Sequence, residues 1–182
     1  MRLRGSASGR LPALLLSVLV LPMPVGAVWG QSIDALVHEG AIDAPVEAVW
    51  RAWTTSEGLK SWLAPHADID LRIGGKMRTN YDAAGSLDDA NAIENTILSF
   101  EPERMLSVRV TNAPEDFPFA ATIGDMWTVV YFVPGARDQT VVRIVSLGFT
   151  VEADSQAMRA FFDQGNAATL QQMRQRLGRA AP

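Results

Sequence analysis

Residues 41–75, AIDAPVEAVWRAWTTSEGLKSWLAPHADIDLRIGG, indicate the fold more clearly than any other stretch of this sequence. Pro45 suits the first turn of a helix, where its missing N–H is not needed. The apolar residues that follow have the spacing of one buried helix face: Val46, Val49, Trp50 and Trp53. Ser56 can cap a second short helix that contains Trp62 and ends before Pro65. The pattern predicts two linked short helices whose large aromatic surface forms a hydrophobic lid or wall.

The sequence after Gly75 changes to the period-two alternation that is typical of β-strands. Within residues 105–110, for example, three apolar side chains face one way and Arg109 faces the other. Short turns connect most neighbouring candidates, so we predict an antiparallel sheet of about six to seven strands. The candidate strands that can be located are residues 33–42, 76–82, 92–100, 105–110, 127–133 and 140–149, with a long loop at 112–125.

One long amphipathic helix is predicted at the end of the chain, from about residue 155 to residue 177, with Asp154 or Ser155 as its N-cap. A helix of this length must bury its apolar stripe, and the concave face of a curved sheet is the available partner. The sequence therefore predicts an α+β fold in which the sheet wraps around the C-terminal helix. The stripe consists of Met158, Phe161, Phe162, Gly165, Thr169, Met173 and Leu177.

The first thirty residues have the pattern of a secretory signal peptide. Three arginines precede a nearly continuous apolar run at 11–21, two prolines interrupt it, and small residues follow at 25–27. We expect cleavage near residues 27–30, a periplasmic or secreted location, and a mature chain of one domain, 31–182. An uncleaved membrane anchor is the alternative, but the apolar run is shorter than the roughly 20 residues that a spanning helix needs.

Charge and cysteine content narrow the classes of partner. The whole sequence has a net charge of −4, and the basic leader leaves the rest of the chain more acidic still. An acidic domain without a basic cluster is a poor partner for nucleic acid or for an anionic membrane surface. The sequence contains no cysteine, so the fold must depend on its hydrophobic core rather than on disulfides.

Several motifs carry a resemblance that spans about residues 33–177. They are Ala44-Pro45, Val49-Trp50, Leu59 with Trp62, Gly74-Gly75-Lys76-Met77-Arg78, Phe100 to Leu106, and Gly165 with Leu170 and Met173. In order and spacing they resemble the helix-grip superfamily called SRPBCC or START-related. The likeness is closest to bacterial members of the family named for activators of the 90-kilodalton heat-shock protein ATPase. Asn166 departs from that family, which commonly has tryptophan at this position.

The resemblance implies a deep cavity between the sheet and the long helix, entered beside the short helices, that holds a hydrophobic small molecule. Candidate contacts are Trp62, His66, Tyr81, Trp127 and Asn166. Each has an ordinary structural alternative, because the tryptophans can belong to the core or clamp a loop and the polar side chains can face water. No cofactor is expected, and the oligomeric state is left open.

Reactive side chains are few in this sequence. There is no nucleophile–base motif, and His38 next to Glu39 lacks the second histidine of a zinc-protease helix, so we predict no metal site. His66 near the expected entrance and Glu94 in an otherwise uncharged strand are the candidates for proton transfer. For both residues, a solvated surface position is the more ordinary explanation.

Three classes of function are consistent with these observations. The first is an exported protein that binds a hydrophobic small molecule. The second is an enzyme of the cyclase or lyase kind, which would use polar groups of the cavity for proton transfer, and the third is a co-chaperone-like module. The first class is favoured because reactive groups are scarce, and because export would separate the chain from a cytosolic heat-shock ATPase.

Overall fold

Seven antiparallel strands form one sheet, with the order β1-β7-β6-β5-β4-β3-β2, in the computed structural model, which describes residues 34–178. The strands are β1 (Leu36–Ile42), β2 (His66–Ile69), β3 (Lys76–Asn80), β4 (Ile93–Glu101), β5 (Met105–Asn112), β6 (Trp127–Pro134) and β7 (Thr140–Leu147). The helices are α1 (Val46–Thr54), α2 (Ser56–Trp62) and α3 (Ala153–Leu177). This order confirms the predicted α+β helix-grip architecture. The predicted signal peptide lies outside the described residues.

The two short helices form where the sequence predicts them, with one change in the capping residue. Pro45 occupies the N-cap position of α1. Thr55, rather than Ser56, caps α2, because its hydroxyl accepts a hydrogen bond from the N–H of Gly58 at 3.0 Å. The hydroxyl of Ser56 instead accepts from the N–H of Ile69 at 3.2 Å. This serine therefore ties the start of α2 to the end of β2.

The long helix α3 begins earlier than predicted. Its first residue is Ala153, and Glu152 occupies the N-cap position without a capping bond from its side chain. Ser155 and Asp154, the two predicted caps, both lie inside the helix. The hydroxyl of Ser155 accepts a hydrogen bond from the N–H of Thr150 at 2.8 Å. Its polar side chain therefore fixes the loop before α3 rather than the first turn of the helix.

The helix α3 lies on the concave face of the sheet and approaches β1 and β7 most closely. The side chains that it buries include Met158, Asn166, Leu170 and Met173. The buried stripe is thus rotated from the predicted one, since it includes Asn166 and leaves Phe161 half exposed. The rotation follows from the sheet, which covers one side of the helix and diverges from the other.

Two hydrogen bonds hold the C-terminal half of α3 in place. The side-chain amide of Gln172 donates to the backbone carbonyl of Trp62, the last residue of α2. The Nε of Arg174 donates to the carbonyl of Ala41 in β1 at 3.2 Å. The carbonyl groups at the end of a helix lack partners within that helix. Gln172 therefore satisfies one of them and joins α2 to α3.

Irregular pairing between β4 and β5 bends the sheet. The register shifts between Glu94 and Asn95 and again between Ile97 and Ser99. Such bulges increase the local twist and bend the strand that carries them. In this sheet, β1 and β7 lie close to α3, whereas a cleft separates α3 from β3, β4 and β5.

Aromatic side chains fill the core between the two short helices and β6. Trp50 meets Phe132 edge to face at 5.4 Å between ring centroids, and Trp53 lies 5.0 Å from Trp62. All four side chains are buried, so the aromatic surface of the two short helices belongs to the core and does not form a lid. No helix within residues 34–178 combines the length and apolar character that crossing a membrane requires.

Candidate functional site

A cleft of about 460 Å³ lies between the middle of α3 and the strands β3, β4 and β5. The loop after β5 closes one end of it, and the end of α2 borders the other side. Apolar side chains form most of the wall, and no acidic, basic or histidine side chain is among those described. The lining residues are Leu63, Met77, Thr79, Tyr81, Ile93, Asn95, Val110, Ala113, Phe117, Ile123, Phe161, Phe162, Gly165, Asn166 and Thr169.

Strand alternation explains which side chains reach the cleft. Met77 and Thr79 in β3, followed by Tyr81, are spaced two apart and line it together. Ile93 and Asn95 in β4 do the same. The residues between them, including Arg78 and Glu94, therefore point to the opposite, convex face of the sheet.

Four phenylalanines form an aromatic cluster at the closed end of the cleft. Phe117 and Phe119, from the loop after β5, each contact Phe161 of α3 with ring centroids 5.6 Å apart. Phe161 in turn contacts Phe162 at 5.5 Å. All these contacts are edge to face, an arrangement that aromatic pairs favour. The loop is thus held against the helix by edge-to-face ring contacts, and Phe161 remains 47% exposed.

Among the described residues of the cleft wall, the hydroxyl of Tyr81 is the one titratable group. Burial among protein atoms raises the pKa of Tyr81, and a hydrogen bond with the side chain of Thr79 acts in the opposite direction. The side chain is nevertheless 56% exposed, because it borders the open cleft while protein surrounds that cleft. A phenol whose pKa is at or above the ordinary value of 10.0 is protonated at neutral pH, so this hydroxyl can donate a hydrogen bond.

Asn166 is the polar residue that α3 contributes to the cleft. Its side-chain amide donates a hydrogen bond to the hydroxyl of Ser146 in β7 at 3.1 Å, and both residues are buried. This contact joins the helix to the sheet beside the cleft. Asn166, which the sequence singles out, therefore lies together with Tyr81 on the cleft wall.

Trp62 does not line this cleft. Its ring is 2% exposed and packs in the core against Trp53. Its indole N–H donates to the backbone carbonyl of Ala52 at 2.9 Å. The helix α2 turns this residue inward, so Trp62 holds α1 and α2 together instead of forming the wall of a mouth.

His66 and Trp127 lie on the convex face of the sheet. His66 pairs with Asn80 in the ladder, so the two side chains lie on the same face of the sheet. The neighbours of Asn80 in sequence, Thr79 and Tyr81, lie on the other face and line the cleft. The Nε2 of His66 lies 3.2 Å from the carbonyl oxygen of Ala83.

The ring of Trp127 lies under the guanidinium carbon of Arg109, 5.6 Å from the ring centroid. The next residue in β6, Thr128, pairs with Ser146 on the cleft side. Trp127 therefore faces away from the cleft, and it stacks on a cation instead of forming a cavity wall.

Glu94, the second candidate for proton transfer, is also on the convex face. Its carboxylate accepts a hydrogen bond from the Nζ of Lys76 at 2.7 Å. This bond is the main reason why the pKa of Glu94 is lowered, with desolvation opposing it. A carboxylate that is ionised and paired in this way is a poor proton donor at neutral pH. The structure thus brings neither Glu94 nor His66 to the cleft.

A second concavity, of about 520 Å³, lies at the N-terminus of α3. Its wall contains three carboxylates, from Asp125, Glu152 and Asp154, and Met158 is its one large apolar side chain. The cleft beside Tyr81 therefore offers far more apolar surface to a ligand. Within residues 34–178, no cluster of three or more side chains has the arrangement needed to hold a metal ion.

Two residues that line the cleft, Phe117 and Asn95, are not identified from the sequence. Phe117 lies in a segment interpreted only as a long loop, and Asn95 carries no feature that separates it from other polar strand residues. Asn95 is two residues after Ile93, so both side chains lie on the same face of β4. The pairing of β4 with β3 places that face on the cleft side. The signal for the loop is its pair of phenylalanines, which a solvated loop does not require.

A curved antiparallel sheet that holds a long C-terminal helix across a cleft defines a protein of the helix-grip class. The family model described as "Activator of Hsp90 ATPase homolog 1-like protein" matches residues 43–178. The chain therefore belongs to this family, as its motifs predict. A comparison with curated proteins gave no match.

Solved structures show the same fold at low sequence identity. A Mesorhizobium loti protein has a TM-score of 0.63 at 22% identity, covering 82% of this chain and 100% of that one. The Aha1 dimer from Colwellia psychrerythraea has a TM-score of 0.60 at 19% identity, with coverage of 82% and 100%.

An enzyme is also among these similar structures. Norcoclaurine synthase from Thalictrum flavum, in complex with dopamine and hydroxybenzaldehyde, has a TM-score of 0.55 at 10% identity. The match covers 78% of this chain and 84% of that one. At such identities the likeness concerns the fold alone.

Proposed function

We propose that this protein binds an apolar small molecule in the cleft between α3 and the strands β3, β4 and β5. The observation that carries the proposal is the lining of the cleft, in which five uncharged polar side chains lie among apolar and aromatic ones around about 460 Å³. Small-molecule sites are typically concave and apolar, with a few placed polar groups. Burial of apolar surface contributes about 25 cal/mol per Å², which supports micromolar binding once ordering costs are subtracted.

Binding is favoured over turnover by the positions of the titratable groups. The two candidates for proton transfer, His66 and Glu94, lie on the convex face. Tyr81 contributes the one titratable group of the cleft wall, and it remains protonated at neutral pH. A cyclase or lyase mechanism would require a base beside the substrate. We therefore place ligand binding first, with any catalysis secondary.

We also propose that this binding takes place outside the cytoplasm. The support is the leader sequence, in which arginines, an apolar run and small residues follow one another in the order of a secretory signal. N-terminal sequencing of protein recovered from the envelope fraction tests this. A start near residues 28–31 is expected, whereas protein that begins at Met1 and requires detergent for extraction would contradict export.

Gly165 permits a direct test of the cleft. A Cβ added to this helical glycine would meet no atom within 4 Å, so a larger side chain can enter the cleft without a clash in the backbone. We expect Gly165→Leu to weaken binding of the neutral dye N-phenylnaphthylamine by about tenfold or more, because the leucine takes up ligand space. Fluorescence titration of the dye measures this.

The matched control is Gly165→Ala, which removes the same glycine but adds a single methyl group. Alanine at a helical position is more favourable than glycine by roughly 0.5–1 kcal/mol, so this variant should bind the dye and melt at a higher temperature. Undiminished binding to a folded Gly165→Leu variant would show that the dye binds elsewhere. Failure of the unmodified protein to bind any neutral apolar probe would refute the function itself.

A further inference from the structure

The charged side chains of this domain are kept away from the cleft. On the sheet that forms its floor, the charges lie on the convex face: Lys76 pairs there with Glu94 and Arg78 with Asp68, while Arg109 stacks on a tryptophan. On the cleft side, the same strands present Met77, Thr79, Ile93 and Asn95. A ligand in the cleft therefore meets no opposite charge on the described wall.

An ionised ligand would be poorly held in such a place. Moving a charge from water into a site without a partner is strongly unfavourable, and here the wall supplies no lysine, arginine, histidine, aspartate or glutamate among its described residues. The polar groups that it does supply are three hydroxyls and two amides. These groups can hydrogen-bond an uncharged molecule without the cost of burying an ion.

The arrangement at Tyr81 specifies the kind of hydrogen bond. Thr79 is two residues earlier in β3 and on the same face, and its hydrogen bond to Tyr81 lowers the pKa of the tyrosine. The phenol carries its proton at neutral pH, because even its ordinary pKa is 10.0, so it can donate a hydrogen bond to a ligand. The open direction is the cleft, which Tyr81 borders with more than half of its side chain exposed.

We propose that the ligand of this cleft is an uncharged molecule with an apolar body and an accepting oxygen, such as a ketone, ester or ether, that binds the hydroxyl of Tyr81. This inference rests on the proposed binding function and specifies the class of ligand. The apolar body lies between Phe162 of α3 and Ile93 of β4, both of which line the cleft. Because the hydroxyl of Tyr81 borders the open cleft and carries its proton at neutral pH, it can donate this hydrogen bond.

Two pairs of probes test the two parts of this proposal. N-phenylnaphthylamine and anilinonaphthalene sulfonate share their rings and differ by one sulfonate, so they isolate the effect of charge. We expect the neutral dye to bind at least roughly tenfold more tightly. Acetylnaphthalene and ethylnaphthalene have nearly the same size and differ by a carbonyl oxygen. Competition against the neutral dye should show the ketone binding about 2- to 10-fold more tightly, the contribution of one hydrogen bond.

The variant Tyr81→Phe should remove the preference for the ketone and leave the affinity for ethylnaphthalene nearly unchanged. Tyr131→Phe is the matched control, since it alters the other tyrosine of the chain, which is exposed and does not line the cleft. A ketone preference that survives in Tyr81→Phe would overturn the assignment of the hydroxyl. Equal affinity for the sulfonate and the neutral dye would overturn the uncharged class while leaving the binding function intact. Failure of all four probes to bind would refute the binding function and this inference together.

Discussion

Asn166 and Ser146 form a buried hydrogen bond, 3.1 Å long, that joins α3 to β7 beside the cleft. The serine is fully buried and the asparagine nearly so. Each polar group thus depends on the other, because a buried donor or acceptor that loses its partner keeps its desolvation cost. The bond also sets the rotation of α3 about its own axis, since it directs Asn166 toward the sheet.

We expect Asn166→Ala to lower the free energy of unfolding by about 1–3 kcal/mol, because it leaves the hydroxyl of Ser146 without this donor. Ser146→Ala should be destabilising for the converse reason. The double variant should lose less than the sum of the two single losses, since neither polar group remains. Urea unfolding of the four proteins measures this coupling. Strictly additive losses would contradict the buried bond.

Gly40 in β1 lies directly beneath the guanidinium of Arg174. A Cβ at Gly40 would come within 2.0 Å of the Nη2 of Arg174, so Gly40→Ala must displace that side chain and break its hydrogen bond to Ala41. We expect a loss of about 1 kcal/mol, the value of one hydrogen bond. In an Arg174→Ala background the same substitution should instead stabilise the protein by roughly 0.4–1 kcal/mol, because alanine restricts the unfolded chain.

The contact between Gly40 and Arg174 is tested by whether the effect of Gly40→Ala on stability changes sign when the arginine is removed. Thermal unfolding of the unmodified protein, the two single variants and the double variant measures this effect. If Gly40→Ala has the same effect in both backgrounds, the arginine does not pack on the glycine.

Phe162 is only partly buried, although the helical pattern places it on the stripe that faces the core. We expect Phe162→Ala to cost about 2 kcal/mol, less than the roughly 3–5 kcal/mol of a fully buried phenylalanine. It should also weaken binding of N-phenylnaphthylamine, because Phe162 lines the cleft. Chemical unfolding and dye titration measure the two effects. Val133→Ala, at an exposed position of β6, is the control and should change neither.

His66→Ala and Trp127→Ala should leave the affinity for this dye within about twofold of the unmodified protein. Both side chains lie on the convex face, with the sheet between them and the cleft. The same titration tests them. A loss as large as that caused by Phe162→Ala would mean that the dye binds to the convex face.

The ion pair between Lys76 and Glu94 makes stability depend on pH. Because the pKa of Glu94 is lowered in the folded state, its contribution is fully present above the ordinary value of 4.5 and is lost as the pH falls through the folded value. The side chains are 45% and 30% exposed, so the contribution is small, on the order of 0.2–1 kcal/mol.

We therefore expect Glu94→Gln to melt below the unmodified protein at pH 7 and to approach it near pH 3, a value about one and a half units below the ordinary pKa. Glu115→Gln, an exposed residue of the loop after β5, is the control and should show no such convergence. A difference between Glu94→Gln and the unmodified protein that is constant from pH 7 to pH 3 would exclude the ion pair as its source.

The sequence predicts the fold well because the fold depends on periodic burial. Val49, Trp50 and Trp53 have helical spacing and are buried on one face of α1. Arg109 lies on the face of β5 opposite Val108 and Val110, as alternation requires. The strand β2 could not be located in the same way, since its four residues are too few for a period-two pattern.

The cleft is less accessible to sequence reasoning because it depends on which face a residue occupies. The pattern shows that Trp127 and its neighbours alternate, but only the pairing of Thr128 with Ser146 shows that Trp127 points outward. The helical spacing of Trp62 fits either a core position or a position in a lid over the cleft. The hydrogen bond from its indole to the carbonyl of Ala52 shows that it is a core residue. Asn166 is turned inward by Ser146, a residue twenty positions earlier in the chain.

The one-sided attachment of α3 has a consequence for the range of molecules that the cleft can accept. The helix is held to β1 through Arg174, to β7 through Asn166 and to α2 through Gln172, whereas ligand space separates it from β4. A small tilt about the attached side would change the separation of α3 from β4 without stretching a single hydrogen bond of the sheet. We therefore expect the angle of α3 to adjust to the thickness of a bound molecule, so that ligands of different thickness share the same polar contact at Tyr81.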